Sequence, residues 1–193
     1  MNLSNDEQVV HILLRGGVGV MPTDTVYGLV ALASNAEAVD RIHELKHREG
    51  KPGTVIAASA EQLLSLNLSS RDIMAAAPLW PSALSIILKP EADTLPHLHQ
   101  GLGDFPVRIP ADDRLNALLL LTGPLATSSA NTAGQAPANT AHEAWKIFGD
   151  MVDFYVDGGD LSGRLPSTVA RVTDHGIEVL RQGAFTVPLE SRA

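Results

Sequence analysis

The segment VGVMPTDTVYGLVALASNAEAVDRIHELKHREGKPG, residues 18–53, determines the fold class, because two strand patterns and a helix pattern follow one another in it. VGVM (18–21) and LVALA (29–33) are short apolar runs that predict strands. The PTDTVYG segment between them contains turn-forming residues and predicts a tight connection. This part of the chain is therefore expected to form two strands joined by a turn.

A helix is predicted directly after the second strand. Ser34 and Glu37 form an S-x-x-E capping box, apolar residues then recur at helical spacing, and Gly50 predicts the end of the helix. Lys46 and Arg48 fall in the last turn of this helix, and we expect both side chains to lie on an exposed helix end.

The rest of the chain continues the alternation. Helices are predicted at 6–15, 71–77, 112–121 and 140–148 with a short one after Ser59, and strands at 54–58, 84–89, 105–109, 153–157, 167–172, 177–183 and the start of 124–137. The 97–103 region, with His97 and His99, is predicted to be a solvated loop. Because helices separate the early strands while the late strands follow one another closely, we expect a single α/β domain over residues 1–193 with a mixed parallel and antiparallel sheet.

The composition indicates a globular protein and limits its chemistry. The chain of 193 residues has a net charge of −8 and a pI near 5.2, so it should repel polyphosphates as a whole, and any anion site must be local. The absence of cysteine excludes disulfides, thiolate zinc sites and a cysteine nucleophile. Its apolar runs are too short to span a bilayer, so we expect no membrane partner and a cytoplasmic location.

HELKH, residues 43–47, matches the H-E-x-x-H signature of zinc peptidases, in which two histidines on one helix face bind the metal. The extended signature needs a third histidine at position 53, where the chain has Gly53. Lys46 and Arg48 also disfavour a dication beside them. We therefore favour surface histidines at a helix end and expect no zinc, with a zinc peptidase as a less favoured alternative.

Lys46, Arg48 and Lys51 concentrate positive charge within a short stretch of an acidic chain. Cations in the last turn of a helix stabilise its dipole by about 0.3–1 kcal/mol, which would account for Lys46 and Arg48. Lys51 lies beyond the predicted helix end and is not explained in this way. Taken alone, the cluster leaves helix stabilisation and an anion site equally open.

Polar residues follow predicted strands at two places. ATSSAN (126–131) presents hydroxyl groups and an amide at a strand end, as a ligand rim does, although a turn would use the same residues. PTDTVYG (22–28) has the same character. Arg108, within the apolar strand FPVRIP, either pairs with a buried carboxylate or faces a cleft that holds an anionic ligand. Arg181 in VLRQG presents the same choice.

Six motifs occur in order along the chain, namely PTDTVYGL, LKHREGKP, VRIP, TSSANTAG, PSTV and LRQG. Together they closely resemble the YrdC-like family of L-threonylcarbamoyladenylate synthases. The resemblance extends over about residues 7–185, which leaves a short C-terminal tail. Each motif is weak alone, and their joint occurrence makes the resemblance specific.

The resemblance implies roles for individual residues. The family's K-x-R and S-x-N residues, its catalytic tetrad, fall on Lys46, Arg48, Ser129 and Asn131. Substrate or ATP binding is implied for Thr23, Thr25, Lys51, Arg108, Thr127, Ser167 and Arg181. We expect no metal-ligating residue in the protein, and the resemblance assigns HELKH to the end of the K-x-R helix.

The fold and reaction implied by the resemblance are specific. The fold is a twisted sheet of parallel and antiparallel strands with flanking helices around a large concave cleft. The reaction is that of a nucleotidyltransferase, which joins L-threonine, bicarbonate and ATP into threonylcarbamoyl-AMP and pyrophosphate, usually with Mg²⁺. This is the first step of threonylcarbamoyl-adenosine formation in tRNA, so the implied partners are the downstream threonylcarbamoyl-transfer proteins and tRNA.

The chain also departs from the family pattern. WPSALS (80–85) stands where the family commonly has W-P-G-P-L-T, Ala133 replaces a serine, and Ile56 occupies a frequent histidine position. A divergent paralogue without this activity is therefore an alternative. The concave basic face of the family implies that such a paralogue would bind double-stranded RNA or tRNA. The net charge of −8 and the small number of aromatic residues argue against a broad nucleic-acid surface.

Overall fold

The computed structural model describes residues 3–47, 52–91 and 95–191. The strands in these residues are β1 Gly19–Pro22, β2 Tyr27–Leu32, β3 Thr54–Ile56, β4 Leu84–Leu88, β5 Phe105–Arg108, β6 Leu125–Ser129, β7 Phe154–Tyr155, β8 Thr168–Thr173 and β9 Gly176–Arg181. They form one sheet with the order β7-β1-β2-β6-β3-β5-β4-β8-β9.

The sheet is mixed, as the sequence predicted. The pairs β1–β7, β3–β5 and β4–β8 are parallel. The pairs β1–β2, β2–β6, β3–β6, β4–β5 and β8–β9 are antiparallel. The predicted turn between the first two strands is confirmed, since β1 and β2 form a hairpin around residues 23–26.

Seven α-helices flank the sheet in the described residues. They are α1 Asp6–Leu14, α2 Ala36–Leu45, α3 Ala60–Leu64, α4 Ser70–Ala76, α5 Pro96–His99, α6 Asp113–Thr122 and α7 Ala141–Phe148, and short 3₁₀ turns occur at Ala77–Leu79, Gly149–Met151 and Leu189–Ser191. All but α5 begin at a side chain that accepts a backbone N–H bond from the first turn, which satisfies one of the donors that a helix start leaves open. These caps are Asn5, Asn35, Ser59, Ser69, Asp112 and Thr140.

The predicted start of α2 is wrong by one residue. Asn35, rather than Ser34, is the cap, and its Oδ1 accepts a hydrogen bond from the Ala38 backbone N–H at 3.0 Å. The predicted Ser34–Glu37 capping box is therefore not formed. An asparagine caps as well as a serine does, so the sequence pattern alone could not separate the two neighbouring positions.

The predicted end of α2 is also wrong. The helix ends at Leu45 instead of continuing to Gly50, with Lys46 as its C-cap residue. His47 then adopts a left-handed backbone with φ of 47°, which a helix cannot continue through. Arg48 and Lys51 lie outside the described residues.

The 97–103 region is not the solvated loop that the sequence predicted. Its first residues form α5, and His99 is only 6% exposed. Nδ1 of His99 accepts hydrogen bonds from two backbone N–H groups of the following turn. Nε2 of His97 lies 2.9 Å from the carbonyl oxygen of Ala33. Both histidines therefore use ring nitrogens in hydrogen bonds to the protein backbone.

Hydrophobic clusters cover both faces of the sheet. Residues of β2 alternate between two of them, since Tyr27 and Leu29 pack with α2 and α7 while Val30 packs with α1 and α6. A third cluster, which includes Ile73 and Phe105, lies beside α4. None of the helices in these residue ranges combines the length and hydropathy that crossing a membrane requires.

Candidate functional site

A cleft of about 190 Å³ opens where the polar strand ends meet. The strand register brings them together, because Gly28 pairs with Ser129, Thr54 with Thr127, and Ile56 with Arg108. Of the residues that the sequence singled out, the cleft is lined by Thr23, Thr25, Arg108, Thr127, Ser129, Ser167 and Arg181. Lys46 and Asn131 do not line it, although both contact Ser129.

Two glycines allow the strands to approach closely at Thr127. A Cβ atom on Gly28 would lie 2.6 Å from Thr127 Oγ1, and one on Gly53 would lie 2.8 Å from the Thr127 carbonyl oxygen. Both distances are shorter than real Cβ contacts, so a larger residue at position 28 would displace the Thr127 hydroxyl and one at position 53 would displace the β6 backbone. These glycines therefore keep the Thr127 hydroxyl at the floor of the cleft.

Lys46 is buried, which corrects the expectation of an exposed helix end. Only 2% of the residue is exposed, and its Nζ donates to the carbonyl oxygens of Ser129 and Asn131 at 2.6 and 2.8 Å. A third bond reaches Asn131 Oδ1 at 3.0 Å. An ammonium group has three protons, so these three acceptors satisfy it. The early end of α2 directs the side chain beneath the β6 strand end.

Asn131 is fixed by hydrogen bonds at both ends of its amide. Nδ2 donates to the carbonyl oxygens of Thr132 and Gln135 at 2.9 and 2.7 Å. Oδ1 accepts from Lys46 and also from Ser129 Oγ, at 2.6 Å. The amide therefore has both of its protons engaged within the turn, and its role in this structure is to hold the Ser129 side chain at the edge of the cleft.

Arg108 satisfies both alternatives that the sequence left open. It lines the cleft, and its Nη2 donates to Asp24 Oδ1 at 2.8 Å, with side-chain exposures of 4% and 3%. Nη1 donates to Ser85 Oγ at 3.2 Å. Arg108 Nε and Asp24 Oδ2 are buried and have no hydrogen-bond partner within the described ranges. Sequence reasoning missed Asp24 and Ser85 as partners of the arginine.

Thr25 presents hydrogen-bond acceptors to the cleft. Thr23 Oγ1 donates to the Val26 carbonyl oxygen at 2.7 Å, so its single proton is used. The Thr25 hydroxyl lies 3.0 Å from Thr23 Oγ1 and must be the donor in that contact. The lone pairs of Thr25 Oγ1 are then the groups that remain for a ligand, and they suit an ammonium or hydroxyl donor.

Arg181 supplies a second positive charge at the rim of the cleft. It is exposed, and its Nη2 donates to the Ser167 carbonyl oxygen at 2.9 Å. Arg108 is compensated by Asp24, whereas no salt bridge to Arg181 occurs among the described residues. The cleft is thus locally positive within a protein whose net charge is −8.

The zinc-peptidase alternative lacks its geometry. His43 lies in α2, but His47 follows the helix end with a left-handed backbone, so the two do not share a helical face. The residues that the structure describes contain no group of three or more His, Cys, Asp or Glu side chains that could hold a metal ion.

Known proteins share this fold. The Sua5/YciO/YrdC family model, described as "Telomere recombination", matches residues 11–183. A threonylcarbamoyl-AMP synthase of Pyrococcus abyssi is 34% identical over 181 residues, which are 91% of this chain and 52% of that protein. The crystal structure of P. abyssi Sua5 complexed with L-threonine is 31% identical with a TM-score of 0.82, covering 92% of this chain and 54% of that one. The crystal structure of E. coli YciO is 25% identical with a TM-score of 0.80, covering 92% and 88%. The chain thus spans about half the length of the curated relatives that it matches first.

Proposed function

Because this chain belongs to the Sua5/YciO/YrdC family, we propose that it is an L-threonylcarbamoyladenylate synthase, a nucleotidyltransferase. The observation that carries the proposal is the cleft between Arg108 and Arg181, which combines two cationic side chains with neutral hydroxyl groups. A site that joins an amino acid to a nucleotide must hold two anions together, and this arrangement has the groups to do so.

The two ends of the cleft suit different ligands. Arg108 lies beside Thr25, so a carboxylate at the guanidinium group and a hydroxyl or amine at the threonine lone pairs would match an α-amino acid. Arg181 lies at the rim, where it is open to solvent and can meet a triphosphate. We therefore assign L-threonine to the Arg108 end and ATP to the Arg181 end. A relative's structure with L-threonine supports this class of ligand.

The reaction needs little covalent chemistry from the protein. The amine of L-threonine and bicarbonate give an N-carboxylate with loss of water, and one of its oxygens attacks the α-phosphorus of ATP while pyrophosphate leaves. Rate enhancement then comes from holding the reactants in line and stabilising charge on the phosphate oxygens. Donors from Thr127 and Arg181 are placed to serve that purpose.

We propose two different roles within the catalytic tetrad, positioning of a turn and binding of phosphates. In this structure Lys46 and Asn131 bond to each other and to Ser129, so their contribution is to position the Ser129 turn. Arg48, together with Lys51, is proposed from the resemblance alone to bind the phosphates, since both lie outside the described residues.

Mg²⁺ is expected to arrive with the nucleotide. No carboxylate lines the described part of the cleft, whose polar side chains are hydroxyl groups and arginines. Mg²⁺ prefers oxygen ligands and is commonly bound through substrate phosphates. The described residues therefore form no dedicated magnesium site, and no step is assigned to the ion.

The remaining expectations belong to the same proposal. A synthase of this kind would act in the cytoplasm and would pass threonylcarbamoyl-AMP to the proteins that transfer the group to tRNA. Bicarbonate is its third substrate. Direct binding of tRNA or double-stranded RNA is the alternative use of the cleft.

Mass spectrometry of the product tests the proposal. The protein incubated with ATP, L-threonine and ¹³C-bicarbonate should form threonylcarbamoyl-AMP that carries one ¹³C atom. RNA binding without any such product would instead favour the RNA-binding alternative and would contradict the synthase assignment.

A further inference from the structure

A series of hydrogen bonds connects the two arginines of the cleft. Arg108 Nη1 donates to Ser85 Oγ at 3.2 Å, and Ser85 Oγ donates to Ser167 Oγ at 2.9 Å. The Ser167 carbonyl oxygen accepts from Arg181 Nη2 at 2.9 Å. Ser85 differs from the other three residues, because it is fully buried in β4 and does not line the cleft. It therefore contacts ligand-binding residues without being exposed to a ligand.

The direction of these bonds follows from the charge of Arg108 and from the geometry of the serine pair. A guanidinium group donates and never accepts, so Ser85 Oγ must accept from Arg108. The geometry of the Ser85–Ser167 contact makes Ser85 Oγ the donor and Ser167 Oγ the acceptor. Ser167 cannot return a proton to Ser85, and no hydrogen bond donated by Ser167 Oγ occurs in the described part of the chain. Its proton is left for a group in the cleft.

Asp24 holds the other end of the series in place. Its Oδ1 binds Arg108 Nη2 at 2.8 Å, on the opposite terminal nitrogen from Ser85. Both members of this ion pair are almost completely buried. The guanidinium group is thus held by Asp24 on one side and by Ser85 on the other, and it cannot turn away without leaving a buried carboxylate unpaired.

We propose that Ser85 is a positioning residue that directs the Ser167 hydroxyl into the cleft, where it donates to an anionic oxygen of the bound ligand. This inference rests on the proposed function, which supplies two such anions, the carboxylate of L-threonine and the phosphates of ATP. The bond from Ser85 occupies one lone pair of Ser167 Oγ and leaves the Ser167 proton available for the ligand. A donor that is already oriented loses less freedom when the ligand binds.

Three variants separate this role from a general effect on the fold. Ser85→Ala removes the hydroxyl that sets the direction, whereas Ser85→Thr retains it. Ser82→Ala is the matched control, because Ser82 lies in the same segment, is buried, and has an Oγ without a hydrogen-bond partner in the described residues. Thermal unfolding of each variant without ligand reports its stability separately.

Isothermal titration calorimetry with L-threonine and, separately, with ATP measures the effect on each anion. Ser85→Ala should weaken the ligand that contacts Ser167 by roughly 10-fold and leave the other ligand much less affected. Ser85→Thr should restore the affinity, and Ser82→Ala should match the wild type. Equal affinities of wild type and Ser85→Ala for both ligands would overturn the inference. It would also be overturned if Ser85→Ala lowered the affinity for both ligands equally and lowered the unfolding temperature in proportion.

A double-variant cycle tests whether Ser85 acts through Ser167. Once Ser167→Ala has removed the oriented hydroxyl, adding Ser85→Ala should cost no further affinity. Losses that simply add would contradict the relay. A wild-type protein that binds neither L-threonine nor ATP would overturn the proposed function as well, which distinguishes that failure from failure of the Ser85 role alone.

Discussion

Nζ of Lys46 lies 2.8 Å from the carbonyl oxygen and 3.0 Å from the Oδ1 of Asn131, two residues of the proposed tetrad that are 85 positions apart in the chain. The buried ammonium group therefore holds together the turn that follows β6, because it donates to both Ser129 and Asn131. Its removal would leave several buried oxygen atoms without a donor, so the lysine should matter for stability as well as for turnover.

We predict that Lys46→Met lowers the free energy of unfolding by about 1–3 kcal/mol, because methionine keeps the stem and removes the donors. Urea unfolding of both forms measures this. Lys146→Met is the control, since Lys146 is exposed in the last turn of α7, and its loss should change stability by less than about 1 kcal/mol. Equal stabilities for Lys46→Met and Lys146→Met would contradict the buried role.

Asp24→Asn should destabilise the protein by about 3–5 kcal/mol, because it leaves the buried charge of Arg108 without its counter-ion. The exposed pair of Arg71 and Asp174 provides the matched control, with side-chain exposures of 71% and 81%. Asp174→Asn should cost less than about 1 kcal/mol. Chemical denaturation of the two variants measures the difference, and similar losses in both would show that burial of the Asp24 pair has no energetic consequence.

The two tyrosines of the chain should make stability fall at high pH. Burial, with a smaller effect from Asp150, raises the pKa of Tyr155 from 10 to about 12, and burial also raises the pKa of Tyr27. In the unfolded chain both should ionise near pH ~10, so the unfolded state loses its protons first as the pH rises. The stability that these groups contribute is complete below that pH and is lost as the pH approaches the folded values.

Ultraviolet absorbance of tyrosinate follows this directly. The native protein should ionise its tyrosines at higher pH than the same protein in concentrated denaturant does. Superimposable titration curves for the two states would show that neither hydroxyl is protected by the fold.

Amino-acid selectivity should follow the polar character of the Arg108 end of the cleft. L-serine lacks only a methyl group of L-threonine and should react roughly 10–200-fold less well. L-valine lacks the hydroxyl and should leave Thr25 or a neighbouring group unpaired. Its kcat/KM should therefore fall further below that of L-threonine than the kcat/KM of L-serine does. Values of kcat/KM for the three amino acids measure this order, and valine turnover as fast as serine turnover would contradict a pocket that reads the hydroxyl.

Hydrophobic periodicity and caps predicted most of the fold. Strand runs such as LSIILK and the Thr140 cap of α7 are local signals, and the structure confirms them. The prediction of a solvated loop at 97–103 was wrong, because α5 packs against α2. These two helices are far apart in the sequence, so no local pattern indicates their contact. Nor could the sequence choose between Ser34 and Asn35, which cap equally well.

The cleft was predictable in part. Polar residues at strand ends indicated which segments meet, and the register brings Thr127 and Arg108 to one edge. The partners of Arg108 were not predictable, since Asp24 is 84 positions away and Ser85 is 23 positions away. The sequence alone gives Ser85 no role beyond that of an ordinary strand residue, and only the strand pairing shows that it lies between Arg108 and Ser167.

Pyrophosphate release is the most direct test of the proposed synthase activity. The protein should release pyrophosphate from ATP only when L-threonine and bicarbonate are present together, because the attacking group is the N-carboxylate that the two form. ATP alone, or ATP with either one, should give nearly no release once carbon dioxide has been removed from the buffers. Release that proceeds at the same rate without L-threonine, or that requires a different amino acid, would contradict the account.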